Sequence, residues 1–496
     1  MQLSRHTIAR FIVPNPRLKF SRVLYQRFYS SSPSSSPPSP SPPSPSITSN
    51  IANRGEQKMA PTSPPPTPPP EFPTSLAEWR FRPIQRAECV ELYRPGGYHP
   101  VHIGDLFHNR RYKVLSKLGY GAYSTVWLAR DLEASEFVAL KIKTARDSAE
   151  DRELTLLNYL KNSVASRLGQ EHIISLKDSF YHEGPNGNHL CLVFELLGEN
   201  IYGVLEDYSY ETTGSDSLRK FPKPVAKRIL KDILLGLNFL HRNGVVHGDL
   251  QPGNFLSTIK GLDALRSEDL EVKIEDVAVE LKRIDGKVDK WAPTYIAMSR
   301  LLIQTDEWPV FPIKISDFGA GFLLSEPRAA KTIVTPIALR SPELMLDSHP
   351  LDTYIDIWAF GCLMFEMLVG KQLFMTIPTA NTDNDSDVML LLMHSILGPL
   401  PESIHTKWPR SGKYFRSDSR EHYNSMVDGP EGILDPSPNI EAGIRDAVSH
   451  ADGLDEEEAD IVISLLRKIL DYDPLKRPSA SEILENSFWE QAAVAA

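Results

Sequence analysis

Cysteine is scarce: Cys89, Cys191 and Cys362 are the only three, far apart and without metal-ligand spacing. Their scarcity excludes a disulfide framework and suits a reducing compartment, with three small core residues as the plain reading. Long apolar runs are also missing. Nothing in the sequence approaches the ~18 consecutive apolar residues of a membrane helix, so no membrane association is expected. Acidic residues are absent from the first thirty positions, which instead hold Arg5, Arg10, Arg17, Lys19, Arg22 and Arg27. A basic, serine-containing, acid-free leader over 1–30 has the composition of a mitochondrial transit peptide. A plain basic tail has that composition too, and Met59 offers a second start.

Residues 31–75 lack the apolar content needed to offset chain entropy. Pro33 to Pro73 hold 15 of the protein's 40 prolines, so a disordered, partly polyproline linker is expected, with order beginning near Leu76. Residues 1–58 carry a charge of +7 against −10 for the whole chain, leaving −17 on the remainder. So acidic a body disfavours nucleic acid as a direct partner and favours a basic protein substrate, although solubility alone accounts for it equally.

Strand-like runs come first: Tyr112 to Leu115, Thr125 to Ala129 and Phe137 to Ile142. Helical periodicity follows, over Val225 to Leu240, Ile355 to Leu368 and Ala459 to Leu470. A β-rich first part and a helical second part predict an α+β, two-lobed enzyme.

Between the first two strand runs lies Leu118-Gly119-Tyr120-Gly121-Ala122-Tyr123-Ser124-Thr125-Val126. Glycines there let backbone N–H groups approach phosphate oxygens, and Val126 can cover an adenine ring. A tight hairpin turn would read the same. Val138-Ala139-Leu140-Lys141 strengthens the phosphate reading, because an inward-facing lysine needs an anion. A glutamate on the next predicted helix would serve with the phosphates, and Glu153 is the best candidate, with Glu150 its rival. Asp249 and Asn254 stand five apart in VVHGDLQPGNFL, and Asp317 follows in ISDFG. Phosphoryl transfer needs a base beside the acceptor hydroxyl and oxygen ligands for Mg²⁺. Asp249 suits the base, and Asn254 and Asp317 the metal. Each is an ordinary loop residue alone; their ordered conjunction is not. Glu343 in SPE and Arg477 in DPLKRP are expected to form a buried pair, flanking an Asp356-x-Trp358 helix.

This ordered set resembles the eukaryotic protein-kinase signature. More narrowly, YRPGGYHPVHIGD from Tyr93 to Asp105, STVWL from Ser124, and RKILDYDP from Arg467 resemble the SR-protein kinases, as a divergent, fungal-type member. The resemblance covers roughly residues 92–489. It implies a bilobal kinase fold: an extension over 76–111, an N-lobe over 112–196, a C-lobe over 197–489 and a tail over 490–496. It also accounts for the 63-residue separation of Asn254 and Asp317, as a spacer-like insert near 258–308 with a helical, charged portion from Asp269 to Lys290.

By the same resemblance the chain is an ATP- and Mg²⁺-dependent, non-specific serine/threonine protein kinase and a monomer. Its substrates would be Arg-Ser-rich, splicing-related proteins, and it would reside in nucleus and cytoplasm. Adenine would sit against Leu118, Val126 and Ala139 and bond backbone groups of Glu195 and Leu197. A substrate-docking groove would fall after Met375, where Asp383, Asp385 and Asp387 stand.

Two positions depart from the kinase pattern. Gln251 replaces the lysine that contacts the γ-phosphate, which bears on rate and leaves open a scaffold without transfer. Gly248 replaces the arginine that receives an activation-loop phosphate, so activity is expected without phosphorylation at Ser325, Thr332 or Thr335. The loop also resembles small-molecule phosphotransferases, but these lack the Pro-Glu and Asp-x-Trp anchors.

Overall fold

In the computed structural model, the described residues are 73 and 78–489, except 150, 164–166, 206–220, 260, 263–269, 301–311, 327–329, 331–332, 349, 376–381, 416–439, 443–444 and 446–453. The leader, most of the linker, Glu150 and Thr332 thus lie outside them. The upper lobe is one six-stranded antiparallel sheet in the order β1-β2-β3-β4-β6-β5. Its strands are β1 (Leu106–Phe107), β2 (Tyr112–Gly121), β3 (Ser124–Asp131), β4 (Glu136–Lys143), β5 (Leu176–Gly184) and β6 (Gly187–Glu195). The expected strand at Tyr112 runs on to Gly121 because β2 and β3 stay paired up to Gly121 and Ser124, making the glycine-rich turn the tip of a hairpin.

One helix, α1 (Arg152–Asn162), crosses this sheet. Asp151 caps it, accepting from Leu154 N at 2.8 Å, and its buried face carries Glu153, Leu156, Leu157 and Leu160.

The lower lobe is helical. α2 (Lys223–Arg242) buries Ala226, Ile229, Leu230, Ile233, Leu234, Leu237 and Leu240, the spacing of an amphipathic helix. Apolar nearly all round, α3 (Tyr354–Val369) lies in the main core, and Gly370 ends it in the left-handed region. A capping box of Asp455 and Glu458 starts α4 (Glu456–Ile469). α2 and α3 outrun the expected helices by two residues and one residue at each end, while α4 starts three residues earlier and ends one sooner.

Two small antiparallel pairs frame the loop of interest. β7 (Val245–Val246) pairs with β12 (Phe322–Leu323), and β8 (Phe255–Ser257) with β11 (Ile313–Ile315). They set residues 247–254 beside 316–321 despite the long intervening insert.

The insert is not the charged helix expected over Asp269 to Lys290. A single turn at Ile274–Val277 gives way to a hairpin of β9 (Ala278–Glu280) and β10 (Tyr295–Ala297). Leu270, Ile274, Val277, Leu281, Ile284 and Val288 do fall at helical spacing, but strand pairing with Tyr295–Ala297 takes the segment and leaves Ile284 and Val288 exposed. Arg283 instead folds its connection, pairing with Asp285 and Asp289 at 2.7 Å each. This hairpin docks on the N-terminal extension through Phe81, Val90, Tyr93, Tyr98, Ala292 and Ile296.

Arg477 pairs with Glu343 at 2.6 and 2.8 Å, both residues buried, with the guanidinium 4.9 Å from the Trp358 ring. Glu343→Ala should lower the unfolding free energy by about 3–5 kcal/mol, because Arg477 keeps its charge without its partner. Urea denaturation measures this; a loss below about 1 kcal/mol would show that water or neighbouring carbonyls satisfy Arg477 equally well.

Candidate active site between the lobes

β4 points Lys141 inward. Its Nζ lies 2.8 and 2.7 Å from the two Glu153 oxygens and 3.0 Å from Asp317 Oδ1. Glu153 is almost fully buried at 1% exposure, so its charge is sustained only by such a partner. Glu150 lies outside the described residues. Lys141 holds the Asp317 carboxyl down at about 2. Asp317 adopts φ 62°, a left-handed conformation that asparagine and aspartate tolerate better than most.

The loop after β7 is fastened from below. Asp356 on α3 accepts from His247 N at 2.8 Å and Gly248 N at 2.9 Å, and His241 Nε2 stands 3.1 Å away. Asp249 Oδ2 accepts from Gln251 Nε2 at 2.8 Å and Asn254 Nδ2 at 3.2 Å. Its other oxygen, Oδ1, is buried without a protein hydrogen-bond partner. Burial raises the Asp249 pKa above the usual carboxylate value, while His247 and the Gln251 and Asn254 hydrogen bonds oppose the rise. A buried carboxylate oxygen left unpaired suits a base whose partner arrives with substrate.

The upper wall carries Leu118, Val126 and Ala139, each half-buried. A Cβ at Gly119 or Gly121 would meet no atom within 4 Å, so packing inside the protein does not demand glycine there. Glycine there leaves the turn open to a group approaching from outside, as a phosphate chain would require. At the hinge Glu195 N donates to Ser175 O and Gly198 N to Ser257 O, tying the connection to both lobes. The Glu195 side chain is taken by Lys314 at 2.7 Å, and Leu197 is buried.

Three features lay beyond sequence reading. Tyr98, from the N-terminal extension, donates its hydroxyl to Gly121 O at 2.6 Å, tethering the glycine-rich turn from outside. The Thr335 hydroxyl donates to Gly248 O and is buried. Of the three activation-loop hydroxyls, then, Ser325 is exposed and Thr335 is enclosed. Gly248 has φ +74°, and a Cβ there would stand 3.2 Å from Ala320 O. In the expected docking groove, Asp387 is buried and engaged by Trp408, Arg410 and Tyr414 at 2.7–3.0 Å, a structural role rather than an exposed acid; Asp385 is buried too.

An inward lysine–glutamate pair under a glycine-rich hairpin, with a buried aspartate bearing an unpaired oxygen and a second aspartate across the cleft, is the arrangement of a protein kinase. The protein kinase domain family matches residues 112–286 and 296–489, and the chain belongs to that family. It is 32% identical over 415 residues to the serine/threonine-protein kinase SRPK of Physarum polycephalum, covering 81% of this chain and 91% of that protein. It is also 44% identical over 177 residues to protein kinase dsk1 of Schizosaccharomyces pombe, covering 35% and 31% of the two chains. Serine/threonine-protein kinase SKY1 of Saccharomyces cerevisiae is 40% identical over 186 residues, 36% of this chain and 24% of that protein. A crystal structure of a kinase domain superposes with TM-score 0.51 at 22% identity, covering 79% of this chain and 98% of that one, and shows the shared fold. The chain is an SRPK-like serine/threonine protein kinase, a family that uses ATP with a divalent metal and acts on proteins.

Tyr98→Phe should raise the KM for ATP about two- to tenfold, the worth of one hydrogen bond to a backbone carbonyl. Steady-state kinetics at varied ATP measure it, and an unchanged KM would mean that the turn is held without Tyr98.

Proposed function

We propose that this kinase transfers the γ-phosphoryl group of ATP to serine or threonine hydroxyls of Arg-Ser-rich proteins. In this reading Asp249 is the base, and Oδ1, its unpaired oxygen, carries the assignment. Lys141, held by Glu153, orients the nucleotide phosphates, and Leu118, Val126 and Ala139 enclose the adenine against backbone groups of Glu195 and Leu197. Asn254 and Asp317 would hold Mg²⁺, which supplies charge neutralisation on the phosphates. Asp249 orients the acceptor hydroxyl and takes its proton as transfer proceeds. The acidic body, −17 outside the first 58 residues, supports a basic substrate.

Gln251 sits where it can steady Asp249, to which it donates at 2.8 Å, but it brings no positive charge to the phosphate. It therefore supports slower transfer rather than none. The SR-protein-kinase resemblance supports residence in nucleus and cytoplasm, and a monomer suffices because Lys141, Glu153, Asp249, Asn254 and Asp317 all come from one chain.

The test is Mg-ATP phosphorylation of an Arg-Ser peptide and of a generic basic protein, with Asp249→Ala as control. Preference for the peptide, abolished in Asp249→Ala while ATP still binds, is expected. ATP binding without transfer to either protein substrate would favour a scaffold, and transfer only to a small alcohol a different phosphotransferase. Gln251→Lys should raise kcat about 5- to 150-fold, by restoring a cation worth roughly 1–3 kcal/mol beside the transferred group; no gain would place the slow step elsewhere.

A further inference from the structure

Lys143, two residues beyond Lys141 on β4, has no part in the reading above. Side chains two apart on a strand share a face, so both lysines enter the space under the sheet. Lys143 is buried, and Nζ lies 2.5 Å from Asp151 Oδ2 and 3.5 Å from Glu153 Oε2. The Asp151 side chain is itself only 3% exposed. Its two oxygens are divided: Oδ2 takes Lys143, and Oδ1 caps α1 through Leu154 N. The first turn of the helix is thereby fixed to the strand that carries Lys141.

The connection between strand and helix adds to this. Thr144 Oγ1 donates to Asp147 Oδ2 at 2.5 Å, Ser148 Oγ to Thr144 O at 2.7 Å, and Leu190 N to Ser148 Oγ at 2.9 Å. On the opposite side, Gly248 has no side chain with which to receive a phosphate from the activation segment. Within the cluster, two lysines face three carboxylates, Asp151, Glu153 and Asp317, and Glu153 Oε2 lies near both.

We propose that Lys143 is a positioning residue: through Asp151 it locks α1 against the sheet and keeps Glu153 on Lys141 without a phosphate on the activation segment. This rests on the reading of Lys141 and Glu153 as the nucleotide-orienting pair. Losing Lys143 leaves Asp151 buried without its cation, and α1 turns away until water reaches that carboxylate. Glu153, in the same first turn, moves with it.

A double-mutant cycle on the full chain tests this. Asp151→Asn keeps the helix cap, since asparagine caps as well as aspartate, but removes the charge that holds Lys143. Lys143→Met removes the other half. Each single variant should lower kcat/KM for ATP about 10- to 100-fold, the range of a misplaced positioning contact, and the double variant should fall no further than the worse single. Helix content by circular dichroism at the assay temperature separates these losses from unfolding. Should Lys143→Met fail to fold, Asp151→Asn alone carries the test. Lys141→Met, run in parallel, must lose transfer; if it does not, the reading of the orienting pair fails first. If Lys141→Met is inactive while folded Asp151→Asn keeps its kinetics, or if the two losses multiply, the lock is overturned.

Discussion

The buried carboxylate of Glu153 is the constraint on which the catalytic arrangement depends. A charge at 1% exposure is sustained only by cations at contact distance, and both of its cations come from one strand. Lys141 meets that demand and reaches Asp317 as well, so a single ammonium joins the helix of the upper lobe to the Asp317 loop of the lower. Sheet, helix and cleft are registered to one another by this contact. An error at any one of them would strand a charge in low dielectric, which is why the geometry is sharply defined.

The lower half of the site is organised by a second buried carboxylate. Asp356 receives the backbone of His247 and Gly248 from the first turn of an apolar helix, so Asp249, the proposed base, rests on the lobe core rather than on a free loop. The left-handed backbone at Gly248 completes the same solution. With no side chain there, Thr335 can place its hydroxyl on the Gly248 carbonyl, and the activation segment is tied to the catalytic loop by a neutral hydrogen bond instead of by a phosphate.

Much of this was legible in the sequence because it is local. The Gly119-x-Gly121 turn, the Lys141 strand, the Asp249/Asn254 spacing and the amphipathic helices each express a period or a turn requirement within a few residues. Contacts across long separations were not legible. Tyr98 reaching Gly121 depends on how the extension folds back, and the insert hairpin depends on an extension nearly 200 residues away for its apolar partners. Acidic residues misled for a related reason. Asp387 reads as a surface charge until Arg410, Trp408 and Tyr414 are seen to close over it. The helix expected at Asp269 to Lys290 has an apolar stripe in sequence, but pairing with the distant strand at Tyr295–Ala297 and the ion pairs of Arg283 with its two aspartates gave the segment another shape.

The central claim is that the lysine–glutamate contact and the base are assembled by the chain itself, with no phosphate on the activation segment. The most direct measurement is the transfer rate of protein shown by intact mass to carry no phosphate, with the mass checked again after the assay. The account predicts the same rate before and after phosphatase treatment. A rate that falls when phosphate is stripped from Ser325, Thr332 or Thr335, and returns when it is restored, would contradict it.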